Sequence, residues 1–285
     1  ETVYGLGADA SNKHAVANIF EAKGRPSFNP LIVHVSDITT AKRYAEWNAQ
    51  AENLAQAFWP GPLTLVLPRL AAASLSSLVT AGAATVAIRV PAHPVAQRLL
   101  KQFDGAIAAP SANPSGQISP TRAAHVIEGL GNTVSAVLDG GPCDVGLEST
   151  IVGIENAGST LRLLRPGGLA REDIEQHLGV ALETYQTPGL ISAPGQLASH
   201  YAPKARLRLN ATDWTGDENR LGFGDVACDL NLSTSGNLSE AACNLFHCLH
   251  LLDSGPETII AVSPIPEIGL GQAINDRLRR AAAPR

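Results

Sequence analysis

Short apolar, β-branched runs alternate with helical patterns through the first two thirds of the chain, and no other feature narrows the fold as much. Runs at 31–35, 63–67, 85–90, 134–138, 149–154 and 160–164 fit the strand template. Residues 13–22 read as a helix. Residues 40–58 carry Tyr44, Trp47, Ala51, Leu54 and Phe58 at spacings of three and four, the apolar face of another. Thr39 or Thr40 is placed to cap it, and Trp59-Pro60-Gly61-Pro62 stops it. Helices between strands predict a layered α/β sheet. The link 155–159 is too short for a crossover helix, so antiparallel pairs are expected in that sheet too.

Near residue 185 the texture changes. Thr187-Pro188-Gly189, Ser192-Ala193-Pro194-Gly195 and Tyr201-Ala202-Pro203 punctuate a stretch that cannot be one long helix. Beyond it, 206–210 reads as a strand and 239–252 as a helix capped by Ser239. A strand at 258–262 and a closing helix at 271–282 follow. The expected organisation is a domain over 1–185, a linker over 186–205, and a small α/β domain over 206–285.

Composition removes several function classes. Charged residues make up 16%, against roughly a quarter in an average globular chain, which excludes intrinsic disorder. The net charge is −5 and only five of the 21 basic residues are lysine, so a broad basic surface for nucleic acid is not expected. No apolar run approaches the roughly 18 residues of a membrane span, and no signal peptide is visible. Cys143, Cys228, Cys243 and Cys248 form no C-x-x-C pair, which predicts a reduced, cytoplasmic protein. There is no methionine, and the chain opens on Glu1-Thr2-Val3-Tyr4. We expect residues preceding Glu1 in the natural protein.

Four segments carry candidate chemistry, each with a plainer reading beside it. Gly5-Leu6-Gly7-Ala8-Asp9-Ala10 matches the dinucleotide pattern G-x-G-x-x-A but lacks a visible strand before it. Cys243, His247 and His250 share one helix face as metal ligands do, yet Leu245, Phe246, Leu249 and Leu252 make the same helix a core element. Lys23-Gly24-Arg25-Pro26 is either a helix cap or two cations on a tight turn aimed at phosphates. Ser111-Ala112-Asn113-Pro114-Ser115-Gly116 is either a loop of turn formers or a set of donors after a strand. Arg89 ends an apolar run, where an unpartnered guanidinium is costly, so an anion or carboxylate partner is expected. No Walker A, H-E-x-x-H or G-x-S-x-G sequence is present.

Taken together, the segments resemble the YrdC/Sua5 family of threonylcarbamoyl-AMP synthases. Glu1-Thr2-Val3-Tyr4-Gly5-Leu6-Gly7, Lys23-x-Arg25, residues 29–35, Arg89-Val90-Pro91, Ser111-Ala112-Asn113-x-Ser115-Gly116, Ser149-Thr150-Ile151-Val152 and Leu164-Arg165-Pro166-Gly167 follow the family order. Ala193-Pro194-Gly195-Gln196-x-x-Ser199-His200-Tyr201-Ala202-Pro203 resembles the linker of the long, Sua5-type members, with Gln196 where methionine is usual. Each motif alone is weak; seven in register are specific. The strand and Pro-Thr entry that the family carries just before this segment are absent from the sequence.

The resemblance implies a YrdC-like twisted mixed sheet with flanking helices, plus a small C-terminal Rossmann-like α/β domain. It implies that L-threonine, bicarbonate and ATP give L-threonylcarbamoyl-AMP and pyrophosphate, for N6-threonylcarbamoylation of adenosine 37 in tRNA. Such chemistry needs positioning and cancellation of phosphate charge more than a covalent nucleophile. By similarity, Lys23 and Arg25 are the catalytic cations on the triphosphate. Asn29, Thr85, Ser111, Asn113, Ser119, Arg165 and Tyr201 complete the ATP site. Arg89 clamps the threonine carboxylate, with Thr2, His34, Ser149 and backbone at Ala109 around it; His34 has a rival role as a core histidine. Magnesium arrives with ATP, and no organic cofactor is implied. A downstream threonylcarbamoyltransferase machinery is the implied partner, with no membrane and no strong direct nucleic-acid binding. The linker is expected to form a lid. The second reading is an RNA-binding module of the same fold without adenylate formation, which the −5 charge disfavours. A third is a carbamoyltransferase using a ready-made carbamoyl adenylate, but the zinc-finger-like and acylphosphatase modules of such enzymes are missing.

Overall fold

The computed structural model describes residues 1–155, 160–184, 199–255 and 258–284. Its first part is built on one eight-stranded sheet in the order β1-β5-β2-β4-β3-β6-β7-β8. The strands are β1 (Ala8–Asp9), β2 (Ile32–His34), β3 (Leu63–Pro68), β4 (Thr85–Arg89), β5 (Ile107–Ala108), β6 (Thr150–Glu155), β7 (Thr160–Arg165) and β8 (Glu183–Thr184). The sheet is mixed. β2 runs parallel to β4 and β3 to β6, while β3 is antiparallel to β4 and β6 to β7. Leu31, Val33, Leu63, Leu65, Ile88 and Val152 form its core, with Val16 and Ile19 from α1 (Lys13–Lys23) and Leu54 packed in.

Two expectations from sequence are corrected. The single helix over 40–58 is two, α2 (Ile38–Ala41) and α3 (Ala49–Phe58). Ala45 bridges Arg69 between them, and the Asn48 side chain accepts from Ala51 N to start a new helix, as Asp37 does for α2. Apolar spacing runs across both, but the caps divide them. The strand expected at 134–138 is absent: among the described residues no strand pairs with it, and it lines a cavity of about 680 Å³ that Ala8 and Ile107 also line. The remaining helices of this part are α4 (Ser77–Thr80), α5 (Pro94–Phe103), α6 (Ala123–Leu130) and α7 (Arg171–Leu178).

The second sheet is fully parallel, β11-β10-β12-β9, with β9 (Arg206–Arg208), β10 (Asn219–Gly222), β11 (Leu230–Asn231) and β12 (Ile259–Val262). Helices α8 (Leu238–Asp253) and α9 (Leu270–Ala282) pack on each other beside it. Asn237, not Ser239, caps α8 by accepting from Ser239 N and Glu240 N. Its core draws in Ile118, Leu147 and Tyr201 from outside the sheet, so the two parts share buried apolar surface. The linker expected over 186–205 lies outside the described residues as far as 198, Gln196 included. Among the described residues no helix is long and apolar enough to cross a membrane. The four cysteines are free.

Candidate active site

Gly24 ends α1 in the left-handed region at φ 59°, a conformation glycine adopts without cost, and the turn buries both flanking cations. Lys23 Nζ donates to Ser111 O at 2.6 Å and to Asn113 O. Arg25 donates from Nη2 to Pro30 O at 2.9 Å and from Nε to Asn29 O at 3.3 Å. Among the described residues neither forms an ion pair. Burial first, then the neighbouring Arg25, pushes the Lys23 ammonium down to about 7. A helix cap alone has no need of two buried cations with no ion pair, and an anionic ligand would relieve them.

Arg165, at the end of β7, is also buried and donates from Nη2 to Ser149 O at 2.8 Å and to Ser149 Oγ at 3.3 Å. Ser149 Oγ in turn lies 2.7 Å from Thr64 Oγ1. Gly167 lets this corner close, because a Cβ there would sit 2.3 Å from Glu148 O. Glu148 lines the same space. Burial pushes its carboxyl up, but the Arg277 and Arg165 charges and the hydrogen bonds from Ser119 and Arg277 together leave it below the ordinary carboxylate range.

Arg89 closes the other side. It is 4% exposed and donates from Nε to Gly61 O at 2.9 Å, from Nη1 to Thr2 Oγ1 at 2.8 Å, and from Nη2 to Glu1. Those bonds use three of the guanidinium's five N–H groups, leaving two for a ligand. His34 stands opposite Arg89 in the β2–β4 register. Burial, then Arg89, pushes its imidazole down to about 3, so the ring is neutral. An inner cavity of about 70 Å³ is lined by Arg25, Arg89, Arg165, Ser111, Ser149 and Tyr201 among others. Thr2, His34, Arg89 and Ala109 also line the larger outer cavity, so the two spaces meet at the Arg89 wall.

Several buried polar atoms here have no partner among the described residues: both side-chain atoms of Asn29, Asn113 Oδ1, His34 Nδ1, His200 Nδ1 and the Tyr201 hydroxyl. Native interiors satisfy such groups, so their concentration at one place marks a ligand site. Tyr201 sits at φ 62°, unusual for a non-glycine residue, with its ring 5.0 Å above the Arg277 guanidinium. Ala202 N donates to Gly116 O at 2.8 Å, which fixes this end of the linker to the Ser111–Gly116 loop.

The structure thus brings together Lys23, Arg25, Asn29, Ser111, Asn113, Arg165 and Tyr201 on one side and Thr2, His34, Arg89, Ala109 and Ser149 on the other. Ser119 joins them through its bond to Glu148. Thr85 is not among them. It pairs with Pro68 at the far end of β4, roughly 13 Å along the strand from Arg89, and lines neither cavity. The Gly5–Ala10 segment is no phosphate loop. It lies extended beside 107–111, where Gly7 permits contact with Ile107, and α1 begins only at Lys13. Cys243, His247 and His250 hold no metal arrangement, and among the described residues no group of such ligands does. His247 and His250 stack on His125 instead, and the Cys243 thiol donates to Cys143 O.

Sequence reasoning missed Glu148 and Arg277. The signal for Arg277 was present: an arginine among Ile274, Leu278 and Ala281 on the buried face of α9.

Fold and site together define a two-part α/β protein whose buried cations face a carboxylate-sized fork across one small cavity. The chain belongs to the Sua5/YciO/YrdC family: the family model described as "Telomere recombination" matches residues 1–167. A second model, described as the threonylcarbamoyl-AMP synthase C-terminal domain, matches residues 169–283. Threonylcarbamoyl-AMP synthase of Pyrococcus abyssi is 38% identical over 99% of this chain and 88% of its own length. The protein of that name from Bacillus subtilis is 39% identical over 100% of this chain and 88% of its own. A crystal structure of P. abyssi Sua5 complexed with L-threonine superposes with a TM-score of 0.91, at 37% identity, covering 99% of this chain and 88% of that one. E. coli YciO, at 21% identity and a TM-score of 0.52 over 58% of this chain and 79% of its own, shares the fold.

Proposed function

We propose that the chain is a threonylcarbamoyl-AMP synthase, a nucleotidyltransferase acting on L-threonine, bicarbonate and ATP. The observation that carries this reading is the Arg89 fork sharing one small cavity with Arg25, while Lys23 is held on Ser111 O of the same lining; neither of these two buried cations forms an ion pair among the described residues. The relatives named for this activity, and the one solved with L-threonine, support it.

In this reading the threonine carboxylate takes the two free N–H groups of Arg89, where a planar fork matches a carboxylate and an ammonium does not. Thr2 and Ser149 offer hydroxyls, Ala109 offers backbone, and neutral His34 offers a ring nitrogen. The threonine amine takes up carbon dioxide from bicarbonate with loss of water, forming a carbamate. A carbamate oxygen then bonds to the α-phosphorus of ATP, and the bond from that phosphorus to the bridging oxygen breaks to release pyrophosphate. Lys23, Arg25 and Arg165 cancel the charge that builds on the phosphates, and Asn29, Ser111, Asn113 and Ser119 hold their oxygens. Magnesium accompanies the triphosphate. Glu148, the carboxylate lining the inner cavity, already bonds Arg277 and Ser119, so the ion stays on the phosphates. The product is handed to a tRNA threonylcarbamoyltransferase in the cytoplasm.

Incubation with ATP, L-threonine and ¹³C-bicarbonate tests this. Mass spectrometry should find threonylcarbamoyl-AMP carrying one heavy carbon; recovery of AMP and free threonine alone would contradict it.

A further inference from the structure

Arg277 lies on α9, in the C-terminal part, yet its side chain is wholly buried against the active site. Nε donates to Glu148 Oε2 at 2.8 Å, and Nη1 donates to Pro166 O at 3.0 Å and to Asp276 Oδ2 at 2.7 Å. The other Glu148 oxygen accepts from Ser119 Oγ. The same guanidinium lies over the Tyr201 ring, its Cζ 5.0 Å from the ring centroid. One side chain therefore reaches two residues of the nucleotide side, Ser119 through Glu148 and Tyr201 directly. Among the described residues its bonds go to Glu148, Pro166 and Asp276, and not to Arg89, Thr2 or His34.

We propose that Arg277 is a positioning residue for ATP. It holds the Glu148 carboxylate so that this buried negative charge fixes Ser119 rather than turning onto Lys23, Arg25 and Arg165, and it props Tyr201. This assigns the C-terminal part a task in the reaction and rests on the function proposed above. The physics is that of a buried ion pair. With Arg277 gone, the charge of Glu148 in this low-dielectric site can be held only by the cations the triphosphate needs. Glu148 then competes with ATP for them. Threonine, bound at the far wall by Arg89, is not affected by that competition.

The test is calorimetric binding of ATP and of L-threonine, each alone, to the full chain and to R277M, R277K and the double variant R277M/E148Q, with thermal unfolding alongside. R277M should weaken ATP binding about tenfold or more, the lower end for a charged hydrogen bond to a buried group, and leave threonine within about twofold. R277M/E148Q should recover most of the loss, because the competing charge is gone. R277K keeps the charge and should fall between, and it is the variant read if R277M does not fold. E172A is the control. It removes the bonds from Gly269 N and Gln272 Nε2 that also join α9 to α7 and should change neither ligand. Unchanged ATP affinity in R277M and R277K, or an equal loss for ATP and threonine, would overturn the inference. So would an ATP loss of similar size in E172A, which would mean that any loosening of the two parts has the same effect. A wild-type chain that binds ATP but makes no threonylcarbamoyl-AMP would sink the function reading, while the ATP affinities would still decide this one.

Discussion

Replacing Arg89 with lysine keeps the positive charge and removes the fork. Three of the guanidinium's N–H groups already hold Gly61 O, Thr2 Oγ1 and Glu1, and two remain for a ligand carboxylate. An ammonium at the same place gives a point charge in place of two parallel bonds. The loss of one charge-assisted bond in a buried site costs about 1.5–3 kcal/mol, which weakens threonine roughly 10- to 150-fold. Arg89 is 4% exposed, so water offers little compensation. In the proposed function ATP depends on Lys23 and Arg25 instead, and its dissociation constant should stay within about twofold. Isothermal calorimetry with each ligand alone, on wild type and R89K, reads both numbers, and thermal unfolding separates a binding loss from lost Gly61 contact. Threonine affinity within twofold of wild type, or equal damage to ATP, would refute the assignment of Arg89 to the amino-acid side.

Lys23 titrates near pH 7 in the free site because burial and Arg25 disfavour its charge. A bound triphosphate restores that charge, so ATP binding at pH 8 should take up a proton and weaken as pH rises through 7 to 9. Calorimetry in two buffers of different ionisation enthalpy measures it, and K23M should abolish the uptake. Tyr201→Ala should increase ATP consumed per threonylcarbamoyl-AMP formed, since Tyr201 lines the inner cavity and its loss admits water; unchanged coupling would remove that role. His34, His125 and His200 are each pushed down to about 3, chiefly by burial. Below about pH 6.5 the unfolded chain takes up protons that the folded one refuses. Stability should therefore fall between pH 7 and 5 with a slope of up to about 1.4 kcal/mol per unit for each histidine, and urea titrations with a flat profile would contradict it.

Much of the candidate site was legible because its signals are local. Lys23-Gly24-Arg25 declares a left-handed cap between two cations, and Arg89 stands out as a charge ending an apolar run. The strands at 63–67 and 85–90 show as β3 and β4 because a strand buried on both faces reads as a continuous apolar run. What was lost depends on neighbours distant in sequence. Residues 134–138 have strand chemistry but pair with no strand among the described residues, and Asn219–Gly222 has polar residues yet pairs on both edges as β10. Glu148 and Arg277 meet across 129 residues, so no local pattern links them. Thr85 came from similarity alone, and the length of β4 carries it away from the cavity.

In the proposed function one cavity joins a threonine clamp to a triphosphate site. Pyrophosphate release by the full chain, measured with ATP, bicarbonate and single amino acids, tests it most directly. Release should need both L-threonine and bicarbonate and should be lost in K23M/R25A. Release that proceeds equally without threonine, or with any amino acid in its place, would contradict it.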